Sequence, residues 1–145
     1  MDRIETLRFD VIDHVMLIVH ADVPPSQEDW ARMMLVRNGT AGRVRNSLVI
    51  APPRATINAA QRADVVSFTK TGSIAVVTTS ALVRGIAAAV KLLGVQVRAF
   101  APGEIAPALN YLGLAQARHG EVEMRLALLQ AQLAAAGKSL ASPSV

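Results

Sequence analysis

The chain has 145 residues, of which 52% are hydrophobic and 3% aromatic, and it contains no cysteine. This composition predicts one domain with an aliphatic core and excludes disulfides, thiolate metal sites and cysteine nucleophiles. The formal charge is +4, but the basic residues are scattered and few aromatic rings are available to stack on bases, so no nucleic-acid partner is expected.

Targeting signals are not expected in this sequence. The first ten residues lack the apolar core of a signal peptide. No stretch approaches the ~20 apolar residues of a membrane-spanning helix, because Arg84 and Lys91 interrupt the most hydrophobic segment. We therefore expect a cytoplasmic protein without membrane insertion.

Residues 7–20 carry a strand pattern long enough for two strands. Asp13-His14 is either the tight turn of a hairpin or a point within a single bent strand. Residues 15–19 are apolar at every position, which is typical of a strand inside a sheet. The next element is a predicted helix over residues 27–38, with Ser26 as its N-cap.

A second buried strand is predicted over residues 47–51, where Pro52-Pro53 stops it. Thr56 can cap a helix over residues 57–69, whose apolar stripe is poorer than those of the later helices.

Residues 73–100 predict a strand, a crossover helix and a parallel strand. Thr79 or Ser80 offers the hydroxyl N-cap, and Gly94 is suited to the C-cap. The helix has an apolar stripe that should face the core, formed by Leu82, Val83, Ile86, Ala87, Val90 and Leu93.

After a predicted helix over residues 104–113, a last helix is expected over residues 121–135. Its apolar seam consists of Val122, Leu126, Leu129 and Leu133, at spacings of four, three and four. This seam can pack on the chain's own sheet or between chains, and we predict that it is an oligomer interface. The opposite face, with Glu121, Arg125 and Gln132, is expected to point outward.

The whole chain therefore predicts an α/β domain with a four- or five-stranded mixed sheet and helices packed on it, at residues 1–114. An additional amphipathic C-terminal helix occupies residues 115–137, and a flexible tail occupies residues 138–145.

No catalytic set is recognisable, so we expect neither an enzyme nor a cofactor. His14 and His20 would be ~20 Å apart on one unbroken strand, too far for one metal ion, and the turn alternative supplies no further ligands. His119 lies in a predicted linker.

One polar cluster lies where the carboxyl ends of the predicted strands meet, which is where open α/β sheets bind ligands. Its members, which predict an anion site, are Arg54, Thr56, Thr78, Thr79 and Ser80. Alternatively, the hydroxyl groups only cap helices and Arg54 is solvated.

Residues 15–114 resemble the SpoIIAA-like proteins, small bacterial α/β domains related to STAS domains (sulfate transporter and anti-sigma factor antagonist). The run SIAVVTTSALVRGIAAAVKLLGVQVRAFAPGEIAPAL carries the resemblance through its apolar strand, Arg-bearing helix, strand ending in Phe and closing helix opened by an acid. The resemblance implies a mixed sheet with helices on one side and a switchable interaction or small-ligand module without catalysis.

STAS relatives carry a phosphorylatable serine in an Asp-Ser-Ser-Gly-like setting after the central strand. The matching place here has Thr56 as its only hydroxyl, which makes Thr56 the candidate phosphorylation site but departs from the motif. The expected function is a regulatory protein-interaction module that self-associates or docks on an unknown protein. The alternative is a carrier of an anionic or amphipathic small ligand, held at the strand ends or under the Met-bearing helix, which a cavity of ~300 Å³ or more would favour.

Overall fold

The computed structural model of the chain describes residues 5–68 and 72–141. These residues form five strands and five α-helices, and a short 3-10 turn (Gln116–Arg118) precedes the last helix. The elements in chain order are β1 (Leu7–Ile12), β2 (Val15–His20), α1 (Gln27–Asn38), β3 (Asn46–Ile50), α2 (Ala59–Phe68), β4 (Ser73–Val77), α3 (Ala81–Leu92), β5 (Gln96–Phe100), α4 (Ile105–Tyr111) and α5 (His119–Ala141).

The strands form one mixed sheet in the order β1-β2-β3-β4-β5. β1 is antiparallel to β2, and the strands from β2 to β5 are parallel to one another. The predicted α/β class with a mixed sheet and a C-terminal helix is confirmed, with five strands.

Residues 7–20 form a hairpin, as one of the two sequence alternatives predicted. Ile12 pairs with Val15 across a two-residue turn, and Asp13 takes a positive φ of 52° there. Asp is among the few residues that tolerate this backbone conformation. All six residues of β2 are buried, which confirms that this strand lies inside the sheet.

The local helix signals are also reflected in the structure. α1 spans the predicted residues, and the Ser26 hydroxyl accepts a hydrogen bond of 3.1 Å from the Asp29 N–H. Asp29 is itself buried, and its carboxylate accepts from the N–H and hydroxyl of Thr6 at 2.8 and 2.6 Å. Gly94 follows α3 with a φ of 93°, the conformation that a helix C-cap glycine supplies.

Helices cover both faces of the sheet. Met16 and Ile18 of β2 belong to a core cluster with residues of α1, α2 and α3, whereas Leu17 and Val19 belong to a second cluster with residues of α4 and α5. The expectation of helices on one side, which the family resemblance implied, is therefore wrong. A central strand with apolar side chains on both faces needs cover on both.

The seam of α5 packs inside the chain. Val122, Leu126, Leu129 and Leu133 are between 0% and 8% exposed and join the core cluster of the sheet and α4. The prediction that these four residues form an oligomer interface is corrected, because the chain's own sheet already covers them. The helix is thus part of the domain core.

Polar contacts also join α5 to β1 at the edge of the sheet. Arg125 forms an ion pair with Asp10 of β1, and Gln132 accepts a hydrogen bond of 3.0 Å from Arg8. Both residues were expected to point outward. Instead they hold α5 against β1.

The helix α5 also runs further than expected, from His119 to Ala141. The predicted tail therefore begins as helix, and its residues 142–145 lie outside the described residues. Within the described part of the chain, none of the helices combines the length and apolarity needed to cross a membrane.

We expect Leu126→Ala to lower the free energy of unfolding by about 2–5 kcal/mol, because it removes buried methyl groups and leaves a cavity under α5. Met124→Ala on the same helix, where the side chain is 75% exposed, is the control and should change it by less than about 0.5 kcal/mol. Urea unfolding curves measure both values. Equal effects would mean that α5 does not pack on this sheet in solution.

Candidate functional site

Two hydroxyl groups of the predicted anion site already accept hydrogen bonds from the nearby backbone. Thr78 is buried after β4, and its hydroxyl accepts a hydrogen bond of 3.0 Å from the Ser80 N–H. The Ser80 hydroxyl accepts one of 3.2 Å from the Val83 N–H and so caps α3, while Thr79 between them is exposed. These oxygens serve the capping role of the alternative interpretation.

Arg54 lies in the loop between β3 and α2 with an exposed side chain. Its N–H donates a hydrogen bond of 2.8 Å to the carboxylate of Asp22, which follows β2. Glu104 follows β5 at the same sheet edge, and its carboxylate accepts from the Ala101 N–H at 2.7 Å. Two carboxylates at this edge repel an anion, so the geometry does not favour an anion site.

Thr56 is not the N-cap of α2, which corrects the sequence prediction. The helix begins at Ala59, and the Asn58 side chain accepts a hydrogen bond of 2.8 Å from the Gln61 N–H. The Gln61 side chain in turn accepts one of 3.0 Å from the Asn58 N–H. This reciprocal pair is a capping box with Asn in the cap position.

The three histidines do not converge on one site. His14 Nδ1 lies 2.7 Å from the side-chain nitrogen of Asn46, and His119 Nε2 lies 3.2 Å from the Leu114 carbonyl. No group of three or more His, Cys, Asp or Glu side chains in the described ranges could hold a metal ion.

Arg37 is a buried charge that the sequence analysis missed. It is 4% exposed, and its Nη1 donates a hydrogen bond of 2.6 Å to the Ser47 hydroxyl of β3. Burial lowers the pKa of this guanidinium to about 10, because desolvation disfavours the charged form. Its position was detectable, since Trp30, Met33 and Arg37 share one helix face at spacings of three and four.

A cavity of about 90 Å³ lies between the sheet and the layer of α1, α2 and α3. Its walls include Trp30 of α1, Val65 of α2 and Ala87 of α3. The polar side chains that line it are His20, Ser47 and the indole of Trp30, whose Nε1 donates a hydrogen bond of 2.9 Å to Asp64.

His20 ends β2 and is 6% exposed. Its Nδ1 has no hydrogen-bond partner among the described residues. Burial lowers the pKa of this imidazole to about 4, because the charged form loses its hydration there. The ring is therefore neutral at physiological pH.

The outer face of α3 is apolar and exposed. We define it as the side of the helix that the chain leaves uncovered, formed by Ala81, Leu82, Gly85, Ala88, Ala89, Leu92 and the adjoining Leu93. Leu82, Leu92 and Leu93 are 62%, 88% and 65% exposed. The prediction that Leu82 and Leu93 face the core is corrected, because Val83 and Val90 fill that side.

The charged residues of α3 and of the chain on either side of it in sequence are all basic. Residues 65–103 contain no Asp or Glu, and Arg84 and Lys91 lie on α3 beside the apolar stripe. Arg98 is exposed on β5, the last strand of the sheet. Exposed apolar surface of this kind is typical of an interaction site.

We expect Asn58→Ala to lower the free energy of unfolding by about 1 kcal/mol, because it removes the N-cap of α2. Thr56→Ala is the matched control and should cost less. Urea denaturation of the two variants measures the difference. A larger loss of unfolding free energy in Thr56→Ala than in Asn58→Ala would mean that Thr56 is the N-cap.

We also expect His20 to make the protein less stable in mild acid. Its folded-state pKa is about 4, against 6.5 for a solvent-exposed histidine, so between these values the unfolded chain binds more protons. Lowering the pH from about 7 to about 5 should therefore cost wild type roughly 2 kcal/mol more than His20→Leu. Urea unfolding at both pH values measures this; parallel pH dependence in the two chains would contradict it, since the carboxylates contribute equally to both.

Comparisons of the chain with protein-family models, with curated proteins and with solved structures gave no match. The resemblance to SpoIIAA-like proteins therefore stays a prediction from the sequence pattern.

Proposed function

We propose that the protein is a non-enzymatic, regulatory interaction module of STAS-like type that self-associates through the outer face of α3. The observation that carries this proposal is the exposure of Leu82 and Leu92 on a helix whose outer face has no polar side chain. Water contact with this much contiguous apolar surface is unfavourable, and burial against a second copy removes it.

The outer face is suited to pairing with itself. Leu82, Gly85, Ala89 and Leu92 recur at spacings of three, four and three, with bulky residues at both ends and small ones between. In an antiparallel two-fold pair, Leu82 of one chain would meet Leu92 of the partner subunit. The small residues would let the two helix backbones approach closely.

Gly85 supports a close approach from outside the chain. A glycine inside a helix costs about 0.5–1 kcal/mol relative to alanine. A Cβ at Gly85 would meet no heavy atom within 4 Å, so packing within the described chain gives no reason for a glycine there. A partner helix lying on this position would supply one.

The surrounding features fit the rim of such an interface. Arg84 and Lys91 flank the apolar stripe and would stay hydrated at its edge, where charged residues are usual. β5 is the end strand of the sheet, so a partner on α3 would also lie beside the outer edge of β5.

The protein would act as a regulator in the cytoplasm. Thr56 is the proposed phosphorylation residue, because it lies in the loop after β3, where the STAS relatives carry theirs. A second protein partner would compete for the same apolar face.

The carrier alternative is less favoured. The cavity beneath α1, α2 and α3 has a volume of about 90 Å³, below the ~300 Å³ expected for a carrier of larger ligands. A groove of about 400 Å³ beside β1 is larger, but ion pairs such as Arg8 with Glu5 and Arg125 with Asp10 line it. Charges that are already paired offer little to an anionic ligand.

We expect wild type to sediment as a dimer and the double variant Leu82→Glu/Leu92→Glu to sediment as a folded monomer, because carboxylates would be buried in the interface. Leu35→Glu is the matched control, since Leu35 is 74% exposed on α1, and it should remain dimeric. Gly85→Leu should also weaken the dimer without adding charge. Sedimentation velocity measures the mass, and circular dichroism checks the fold.

A monomeric wild type, or a dimer that survives all three substitutions on α3, would contradict the proposal. If wild type is a monomer and binds anionic vesicles through Leu82 and Leu92, the outer face binds a lipid surface and not a second copy of the chain.

A further inference from the structure

The cavity between the sheet and α1, α2 and α3 lies on the opposite side of α3 from the outer face. Residues from four strands and three helices line it, and the inner face of α3 contributes Val83, Ile86, Ala87 and Val90. The cavity is partly open, and the side chains that border it lack contacts that a close-packed interior would give them, so its presence calls for an explanation.

We propose that this cavity binds a small uncharged molecule that is mostly apolar and carries one hydroxyl or similar hydrogen-bonding group, with the His20 imidazole as its polar anchor. The cavity lining is aliphatic apart from Trp30, Ser47 and His20. It therefore matches an apolar body with a single polar end.

His20 is the group that recognises the polar end. Its side chain is 94% buried, lines the cavity, and leaves Nδ1 without a hydrogen-bond partner among the described residues. Buried polar atoms are normally paired, and a ligand hydroxyl can both donate to and accept from a neutral imidazole. The lowered pKa of His20, which follows from its burial, keeps the ring neutral.

The other polar side chains at the cavity are already engaged. Ser47 accepts a hydrogen bond from Arg37, and the Trp30 indole donates to Asp64. None of the residues that line the cavity carries a charge at neutral pH. The Arg37 guanidinium bonds to Ser47 but does not itself line the cavity, so a charged ligand would lose its hydration without direct contact with a counter-ion, and the ligand is uncharged.

The volume and position limit the ligand further. At about 90 Å³ the cavity is smaller than the ~150 Å³ apolar cavity that accepts benzene in another protein, so a single six-membered ring enters only when the lining side chains yield slightly, and larger ligands are excluded. His20 ends β2 and Ala51 follows β3, so the polar end lies at the carboxyl edge of the parallel strands. Ligands of open α/β sheets enter from that edge.

Phenol and benzene are suitable probes, because they differ only by the hydroxyl group. We expect phenol to shift the methyl NMR signals of Val83 and Val97 saturably and to bind wild type about fivefold more tightly than benzene does, as one hydrogen bond to His20 implies. In His20→Leu this preference should disappear. In Ala87→Leu, which fills the cavity, both probes should lose saturable binding, and Ala51→Val is a second filling variant should Ala87→Leu fail to fold.

Three results would overturn the proposal. No saturable shift in wild type means that the cavity does not accept a ligand of this class. Equal affinity for phenol and benzene in wild type means that His20 is not the anchor. Binding that persists in both folded filling variants means that the probes bind elsewhere, and none of these results depends on whether the chain is a dimer.

Discussion

The burial of β2 on both faces is the constraint on which the rest of the fold depends. Its successive side chains point alternately to opposite sides of the sheet, and all six residues are buried. The strands β2 to β5 follow one another in one direction, so right-handed crossovers put α1, α2 and α3 on the same face. The opposite face is left to α4 and α5, which explains why the seam of α5 belongs to the core.

Features that depend on neighbouring residues were predictable from the sequence. The hairpin at Asp13-His14, the Ser26 cap and the Gly94 C-cap each follow from local backbone chemistry. The N-cap of α2 could also be predicted from the sequence, because Gln61 follows Asn58 by three residues, which is the spacing of a capping box. Thr56, two residues earlier, fits an N-cap equally well by its hydroxyl, because neighbouring residues alone do not define where the helix starts.

Features that depend on the assembled layers were not predictable in the same way. The spacing of Val122, Leu126, Leu129 and Leu133 suits an intramolecular or an intermolecular surface, and only the uncovered sheet face decides between them. On α3, both Leu82 and Val83 fit an apolar stripe, and the rotation of the helix over β4 and β5 determines which is buried. The buried position of His20 likewise comes from tertiary packing.

The helix α3 lies between the cavity and the outer face. Its inner face contributes Val83, Ile86, Ala87 and Val90 to the cavity, while its outer face presents Leu82 and Leu92 to solvent. A molecule that enters the cavity and shifts α3 outward must therefore change the surface that a partner would cover. Because such coupling is reciprocal, a partner that prefers one position of α3 changes the affinity of the cavity by the same factor. If both proposals hold, α3 is the element through which a ligand in the cavity and a partner on the outer face influence each other.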